Sequence, residues 1–378
     1  MRNTNIPLNT LLIIGNGFDL NCQIHSSFED FFNTVNVNHN IWYLLSKFAF
    51  PKDSFVGPVI IRTYKKSEVL WMDVETLIKN VLFGHTLEKE ESNRLLKEFG
   101  CTDYLSTISN IYKNRNNSNY LYFSDQVRML KSFFSTRSIE CSLSSFKKLV
   151  DFLYEELLRF ECDFQKYIET ISSNSQYKRN SERLFSLLND NNVGDCDVLS
   201  FNYTSPKLSS NTFGSSNTIN YIHGSVADKN IIIGYDSSEF KNPAGNKLYL
   251  SKSYQKLFSN LQSFSLPEKE DIGYIKIYGH SLGLQDYSYF HSIFDYYDIT
   301  NNNNISLIFY YTPYKETQLD NEIIKQQYIA SVYDLLNKYS FSVDFANEKI
   351  NTLISKLLLE NRLKIESISK LSTEEDIK

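Results

Sequence analysis

No Cys-x-x-Cys pair occurs in this sequence, and its five cysteines are an odd number. Both facts argue against a disulfide framework and a zinc ribbon, and they fit a reducing cytoplasm. No run of about 18 apolar residues is present, so no segment is expected to span a membrane. The apolar stretch 11–14 is too short for the core of a signal peptide and runs straight into Gly-Asn-Gly. Excess positive charge is also missing. A formal net charge of −5 gives the chain as a whole no footprint for nucleic acid or an anionic membrane. His, Cys, Asp and Glu do not recur at metal-ligand spacing, so no metal is expected and no acidic constellation supports a nuclease. Glycine, finally, is almost absent between about residues 36 and 190.

What is present divides the chain. The 378 residues allow one large domain with an insertion, or two domains. Where glycine is scarce, apolar residues recur at helical spacing over 41–48, 69–83, 88–99, 146–171 and 181–188. Polar Asn/Ser stretches separate them. Outside that region lie short apolar runs bounded by Gly, Asn or Asp, which read as strands: 10–14, 198–201, 219–222, 231–233, 274–278 and 305–310. Helices are expected at 254–264 and 287–297, and again at 321–338 and 343–359, before a charged, frayed tail. The fold class that follows is α/β, with a mostly parallel Rossmann-like sheet and a large helical insertion. Residues 1–35 and 193–320 form the α/β domain, 36–192 the insertion and 321–378 a C-terminal helical extension. The chain carries 26 Tyr and 27 Phe, which suit either ligand and partner surfaces or an aromatic core.

Four of the expected strands end in polar groups. The first hands over to Gly15-Asn16-Gly17-Phe18-Asp19, where glycines let a backbone approach a phosphate and oriented N–H groups can hold it. As a dinucleotide fingerprint it is incomplete, because Leu20 stands where the third glycine belongs. A tight strand exit without a ligand accounts for it equally. The run 198–201 delivers Asn202, and 219–222 delivers His223 followed by Gly224. Their separation allows a crossover that returns the chain beside itself, which would set both at carboxyl ends of neighbouring parallel strands. Taken singly, Asn202 is an ordinary strand-exit cap and His223 an ordinary satisfied histidine. The run 274–278 ends in Gly279-His280-Ser281-Leu282-Gly283, which matches the Gly-x-Ser-x-Gly of a nucleophile elbow. A serine hydrolase at Ser281 would need an acid and then a histidine downstream. Asp286, Asp295 and Asp320 are candidate acids, but the sole later histidine, His291, falls on the very next helix. The other reading is a strand-end loop whose amides and Ser281 hydrogen-bond a ribose or phosphate. Two further motifs remain: Trp71-Met72-Asp73-Val74-Glu75 at a helix start, and Gly234-Tyr235-Asp236, whose acid is either a turn former or a pocket acid.

The ordered set IIGNGFDL, WxDxE, FNYT with IHG, IIIGYD, and YGHSL with an aspartate soon after resembles the AbiH-type bacteriophage abortive-infection proteins over about residues 11–290. Its layout is similar to the sirtuin-like domains of NAD-hydrolysing phage-defence enzymes. The resemblance implies a sirtuin-like α/β domain in which Gly15, Asn16, Gly17 and Asp19 lie on the turn that holds the NAD phosphates. It assigns Asn202 and His223 to catalysis, and Gly279 and Ser281 to the loop that binds the adenosine ribose. NAD is then the substrate, without a metal. Asp19 or Asp236 would face the cation that develops as the nicotinamide–ribose bond breaks. The sequence departs from that pattern at Thr204, where an acid is expected two positions after the asparagine. The implied function is phage defence by NAD+ hydrolysis, in the cytoplasm, answering a phage-derived trigger, with homo-oligomers as an expected assembly. Beside it stand a nucleotide-binding sensor or toxin subunit without turnover, and the serine hydrolase.

Overall fold

Thr10–Ile14 is apolar without alternation because it is covered on both faces. In a strand successive side chains point to opposite sides. Leu11 and Ile13 enter one core and Leu12 and Ile14 the other, all at or below 1% exposure. The computed structural model describes residues 9–34, 40–49, 74–83, 104–114, 125–136, 146–189, 195–208, 219–240, 245–259, 264–313, 317–344 and 353–371. The expected helix at 88–99 and residues Trp71, Met72 and Asp73 lie outside them.

Six strands form one sheet: β1 (Asn9–Ile14), β2 (Cys196–Ser200), β3 (Ile219–Tyr221), β4 (Ile272–Tyr278), β5 (Ser306–Tyr311) and β6 (Leu363–Ser367). Their order is β3-β2-β1-β4-β5-β6, and each neighbouring pair is parallel. That is the doubly wound, Rossmann-like arrangement. The helices are α1 (Asn16–Asn21), α2 (Phe28–Thr34), α3 (Ile41–Ala49), α4 (Val74–Phe83), α5 (Tyr104–Lys113), α6 (Asp125–Thr136), α7 (Phe146–Ser172), α8 (Ser175–Leu188), α9 (Lys252–Phe258), α10 (Tyr287–Tyr296), α11 (Gln318–Asp344) and α12 (Leu353–Leu359).

The chain divides into two compact units: Met1–Ser26, Ile168–Ile231 and Gln262–Lys378 in the first, Ser27–Tyr167 and Ile232–Leu261 in the second. The first holds the sheet. On one face α10, α11 and α12 pack Phe290, Phe294, Leu335, Leu336 and Leu357 against Leu11, Ile13, Ile275 and Ile277. On the other, α1 and α8 bring Phe18, Tyr177, Leu184 and Phe185 against Leu12, Ile14 and Val198. Rings such as Phe18, Tyr177, Tyr278, Tyr297 and Tyr339 are fully buried, so many of the abundant aromatics are core.

The second unit is largely helical. Ser27 and Asp30 form a capping box at the start of α2: each backbone N–H bonds the other's side chain. Phe31 packs on Phe160, Phe164 and Tyr167 of α7. Lys252 and Glu75, both buried, pair at 2.7 Å.

Two expectations change. The run 231–233 is not a strand. Ile233 donates its N–H to Glu161 Oε1 at 2.7 Å and accepts from Gln255 Nε2 at 2.9 Å. Side chains satisfy the groups that a ladder would otherwise use. The tail is not wholly helical or frayed either. β6 pairs with β5, and Leu371 beyond it is 3% exposed and donates its N–H to Asn21 Oδ1 at 3.0 Å.

Candidate active site

The strand order reverses direction between β1 and β4, where loops leave their carboxyl ends on opposite sides and open α/β sheets bind ligands. The loops after β1 and β4 meet there. Gly17 donates its N–H to the Gly279 carbonyl at 2.6 Å. A Cβ at Gly15 would lie 2.6 Å from the His280 Cα, and one at Gly17 would lie 2.7 Å from the Gly279 Cα. Gly279 itself has φ +70°, and a Cβ on it would stand 2.4 Å from the Phe18 nitrogen. Glycine is therefore required at these positions by the approach of the two loops, with or without a phosphate.

The end of β2 joins this seam. Asn202 is 5% exposed, and its Nδ2 donates to the Gly15 carbonyl at 3.0 Å. Asp19, on α1, is 1% exposed. Its Oδ1 accepts from the Tyr177 hydroxyl at 2.8 Å, and the Thr204 hydroxyl lies 2.9 and 3.0 Å from its two oxygens. Burial pushes its pKa up to about 7, against the pull of hydrogen bonds from Tyr177, Thr204, Ser26 and Asn202. So Asp19 is turned into the protein, and its surroundings do not fit the cation-facing role expected for it. Thr204, for which the sequence comparison expected an acid, touches an acid supplied by another element. Asn16 accepts a hydrogen bond from Ser26 through Oδ1.

A second polar cluster lies at the ends of β3 and β4. β2 and β3 are parallel neighbours, as the crossover argument requires, and His223 follows β3. Gly224 has φ +77° and packs on the Asn230 carbonyl, a turn closed to other residues. His223 is 3% exposed, and its Nε2 lies 3.1 Å from Asp286 Oδ1. The Nε2 of His280 lies 3.3 Å from the other carboxylate oxygen, Oδ2. Phe201 stands edge-on to both imidazoles, with ring centroids 5.5 Å from His223 and 4.6 Å from His280. Tyr289 adds an edge contact to His223 at 5.4 Å. Sequence reasoning places Asn202 and His223 correctly on adjacent strand ends but gives His223 no partner. Asp286 and His280 are that partnership. The available signal was a histidine and an aspartate within the loop that leaves β4, the next strand in the chain.

Ser281 is exposed, and among the described residues no hydrogen bond joins it to a histidine. Both nitrogens of the adjacent His280 are engaged, Nε2 by Asp286 and Nδ1 by the Leu282 N–H at 2.9 Å. His291 lies on α10 as expected, against Tyr287 and Tyr339, and burial lowers its proton affinity. The hydrolase triad is thus not assembled around Ser281. In the second unit, Asp236 Oδ1 accepts from the Ser238 N–H at 2.9 Å, the turn-forming alternative. Among the described residues no group of three or more His, Cys, Asp or Glu side chains is placed to hold a metal, and no helix is long and apolar enough to cross a membrane.

No curated protein and no solved structure matches this chain. A family does. Residues 11–311, which run from the first strand through the last strand-end loops described above, match the family described as bacteriophage abortive infection AbiH, and the chain belongs to that family.

Proposed function

We propose that this abortive-infection protein acts by cleaving the bond between nicotinamide and ribose in NAD+, which depletes an infected cell of the dinucleotide. The observation that carries the reading is the placement of a carboxamide, Asn202, and an imidazole, His223, after neighbouring parallel strands beside the point where the sheet reverses. Dinucleotides bind at that point in doubly wound sheets. Cleavage there expels a neutral base from a cationic centre through an oxocarbenium-like transition state. The reaction needs an oriented ribose and a placed water more than it needs a strong acid. Asn202 has both a donor and an acceptor for that work, and His223 can take a proton near neutral pH. The loops 15–17 and 279–281 border the same region and would take the phosphates and the adenosine ribose, with Gly15, Asn16, Gly17, Gly279 and Ser281 as the contacts.

The test is incubation of the purified chain with NAD+ and chromatographic separation of nicotinamide and ADP-ribose. His223→Ala and Asn202→Ala should each lower kcat on the order of 10²-fold or more. Unchanged turnover in both variants, with folding intact, would sink the reading. A second reading, nucleotide binding without turnover, is favoured by one observation: the Asn202 amide is already bonded to Gly15 and Asp19. Binding of NAD+ by calorimetry with no product formed selects it.

A further inference from the structure

His280 fixes its own tautomer. Its Nδ1 accepts the Leu282 backbone N–H at 2.9 Å, so that nitrogen holds the lone pair and the ring proton sits on Nε2. That Nε2 lies 3.3 Å from Asp286 Oδ2. The turn that aims the Leu282 N–H is held under strain. Leu282 has φ +55°, a region that a bulky side chain rarely adopts, and is kept there by burial at 3% exposure in the core below the sheet. Asp286 Oδ1 faces His223 Nε2 at 3.1 Å. An ionised carboxylate only accepts, so Nε2 of His223 carries hydrogen and the neutral ring has its lone pair on Nδ1. The rings of Phe201, Phe290 and Tyr289 surround the two imidazoles, and in such an apolar frame the charge-assisted bond between His223 and Asp286 is stronger than in water.

We propose that Asp286 is the positioning residue for His223, itself held by His280, and that Nδ1 of His223 is the atom that accepts the proton in cleavage. The proposal rests on the reading of the site given above. In the step, the water oxygen bonds to the ribose carbon as the carbon–nitrogen bond breaks. That bond's electron pair leaves with nicotinamide, and a water proton passes to His223 Nδ1. Asp286 stabilises the imidazolium until the proton goes to solvent. His280 does not touch the reacting atoms. It keeps the carboxylate turned so that one oxygen remains for His223.

Asp286→Asn separates this role from a packing role. The amide oxygen stays on the His280 N–H, and the amide NH2 is turned to His223 Nε2. That nitrogen must then accept, so the ring proton moves to Nδ1. Two measurements are made on the full chain. Nitrogen-15 NMR of histidine-labelled protein, with His223 assigned by comparison with His223→Ala, should show a protonated Nε2 and a bare Nδ1 in the wild type, reversed in Asp286→Asn. NAD+ turnover should lose on the order of 10³–10⁴-fold in kcat with KM changed little, while the thermal transition stays cooperative, and Asp286→Glu should recover part of the loss. A wild-type His223 protonated at Nδ1 overturns the tautomer assignment, whatever the activity. Wild-type turnover that persists in Asp286→Asn but is lost in His223→Ala overturns the positioning role and leaves the cleavage reading standing. No turnover by the wild type, with the expected NMR pattern, removes the cleavage reading and the proton-accepting role together. It leaves the Asp286–His223 tautomer control in place.

Discussion

Two aspartates stand at the carboxyl ends of the same sheet and keep different company. Asp19 is enclosed by neutral donors, the Tyr177 and Thr204 hydroxyls among them, and is 1% exposed. Asp286 stands between two imidazoles, and its side chain is 16% exposed. Hydroxyls and amides can hold a carboxylate but bring no compensating charge, so burial prevails and Asp19 titrates near neutrality. An imidazole partner can become a cation when a proton arrives, and a carboxylate beside it then stabilises that state. The first arrangement suits a framework that joins the ends of β1 and β2 to α1 and α8. The second suits proton transfer. Residues of the same chemistry are thus sorted by their burial and their neighbours.

The sharpest way to break this contrast is through Asp19, because its effect on stability should be the largest. Its pKa is raised from 3.8 to about 7 in the folded protein. Between those values the native state binds a proton that the unfolded chain has released, so stability falls as pH rises from about 4 to about 7 and is level above. At 1.36 kcal/mol per unit the fall is on the order of 4 kcal/mol. Asp19→Asn keeps an acceptor for Tyr177 and removes the titration. Urea unfolding across that range should give a difference curve, variant minus wild type, that rises with pH by a similar amount. A flat curve would mean that Asp19 titrates as it does in an open chain and that the cluster is not closed.

Next in size is an effect on turnover. His223→Ala should lower kcat by about 10²-fold or more, roughly 2.7 kcal/mol in the barrier, yet leave the hydrogen bonds to Asp19 in place. Asp19→Asn should do the reverse, with turnover retained wherever the fold is retained. Steady-state assays on the two variants beside their unfolding curves decide this. If Asp19→Asn abolishes cleavage without loss of structure, the framework role is wrong and the two clusters act as one site.

Much of this contrast could be read from the sequence, for identifiable reasons. Central parallel strands are covered on both faces and appear as apolar runs, which exposes 10–14, 198–201 and 274–278 directly. Where such runs stop, the polar residue that follows marks a strand end, and Asn202 and His223 were visible in that way. β6 was not, because it sits at the sheet edge, reads Leu-Lys-Ile-Glu-Ser and is only half covered. The run 231–233 misled for the opposite reason. It looks like a buried strand, but the partners of Ile233 are side chains of Glu161 and Gln255. The pairings within the clusters are non-local: Thr204 meets Asp19 across 185 positions and His223 meets Asp286 across 63. No spacing rule links such residues. The sheet order does, once β2, β1 and β4 are known to be neighbours. The carboxylate that Thr204 meets arrives from α1.

The smallest effect belongs to Tyr177→Phe, and its pH dependence is the finer test of the Asp19 cluster. The substitution leaves the ring in the core beside Asp19 and removes one hydroxyl, which donates to Oδ1 at 2.8 Å. Below pH 7 the acid is protonated in the native state, so a neutral hydrogen bond is lost at a cost of about 1 kcal/mol. Above pH 7 it is ionised, and the bond lost is one to a charged group, at about 2 kcal/mol. The missing donor also favours the protonated form, which moves the pKa of Asp19 further up and carries the fall in stability to higher pH. Urea midpoints for Tyr177→Phe and wild type should therefore diverge more at pH 8 than at pH 5. Equal losses at both would show that the phenol's contribution does not depend on the charge of Asp19. Neutral donors would then no longer explain where its titration falls.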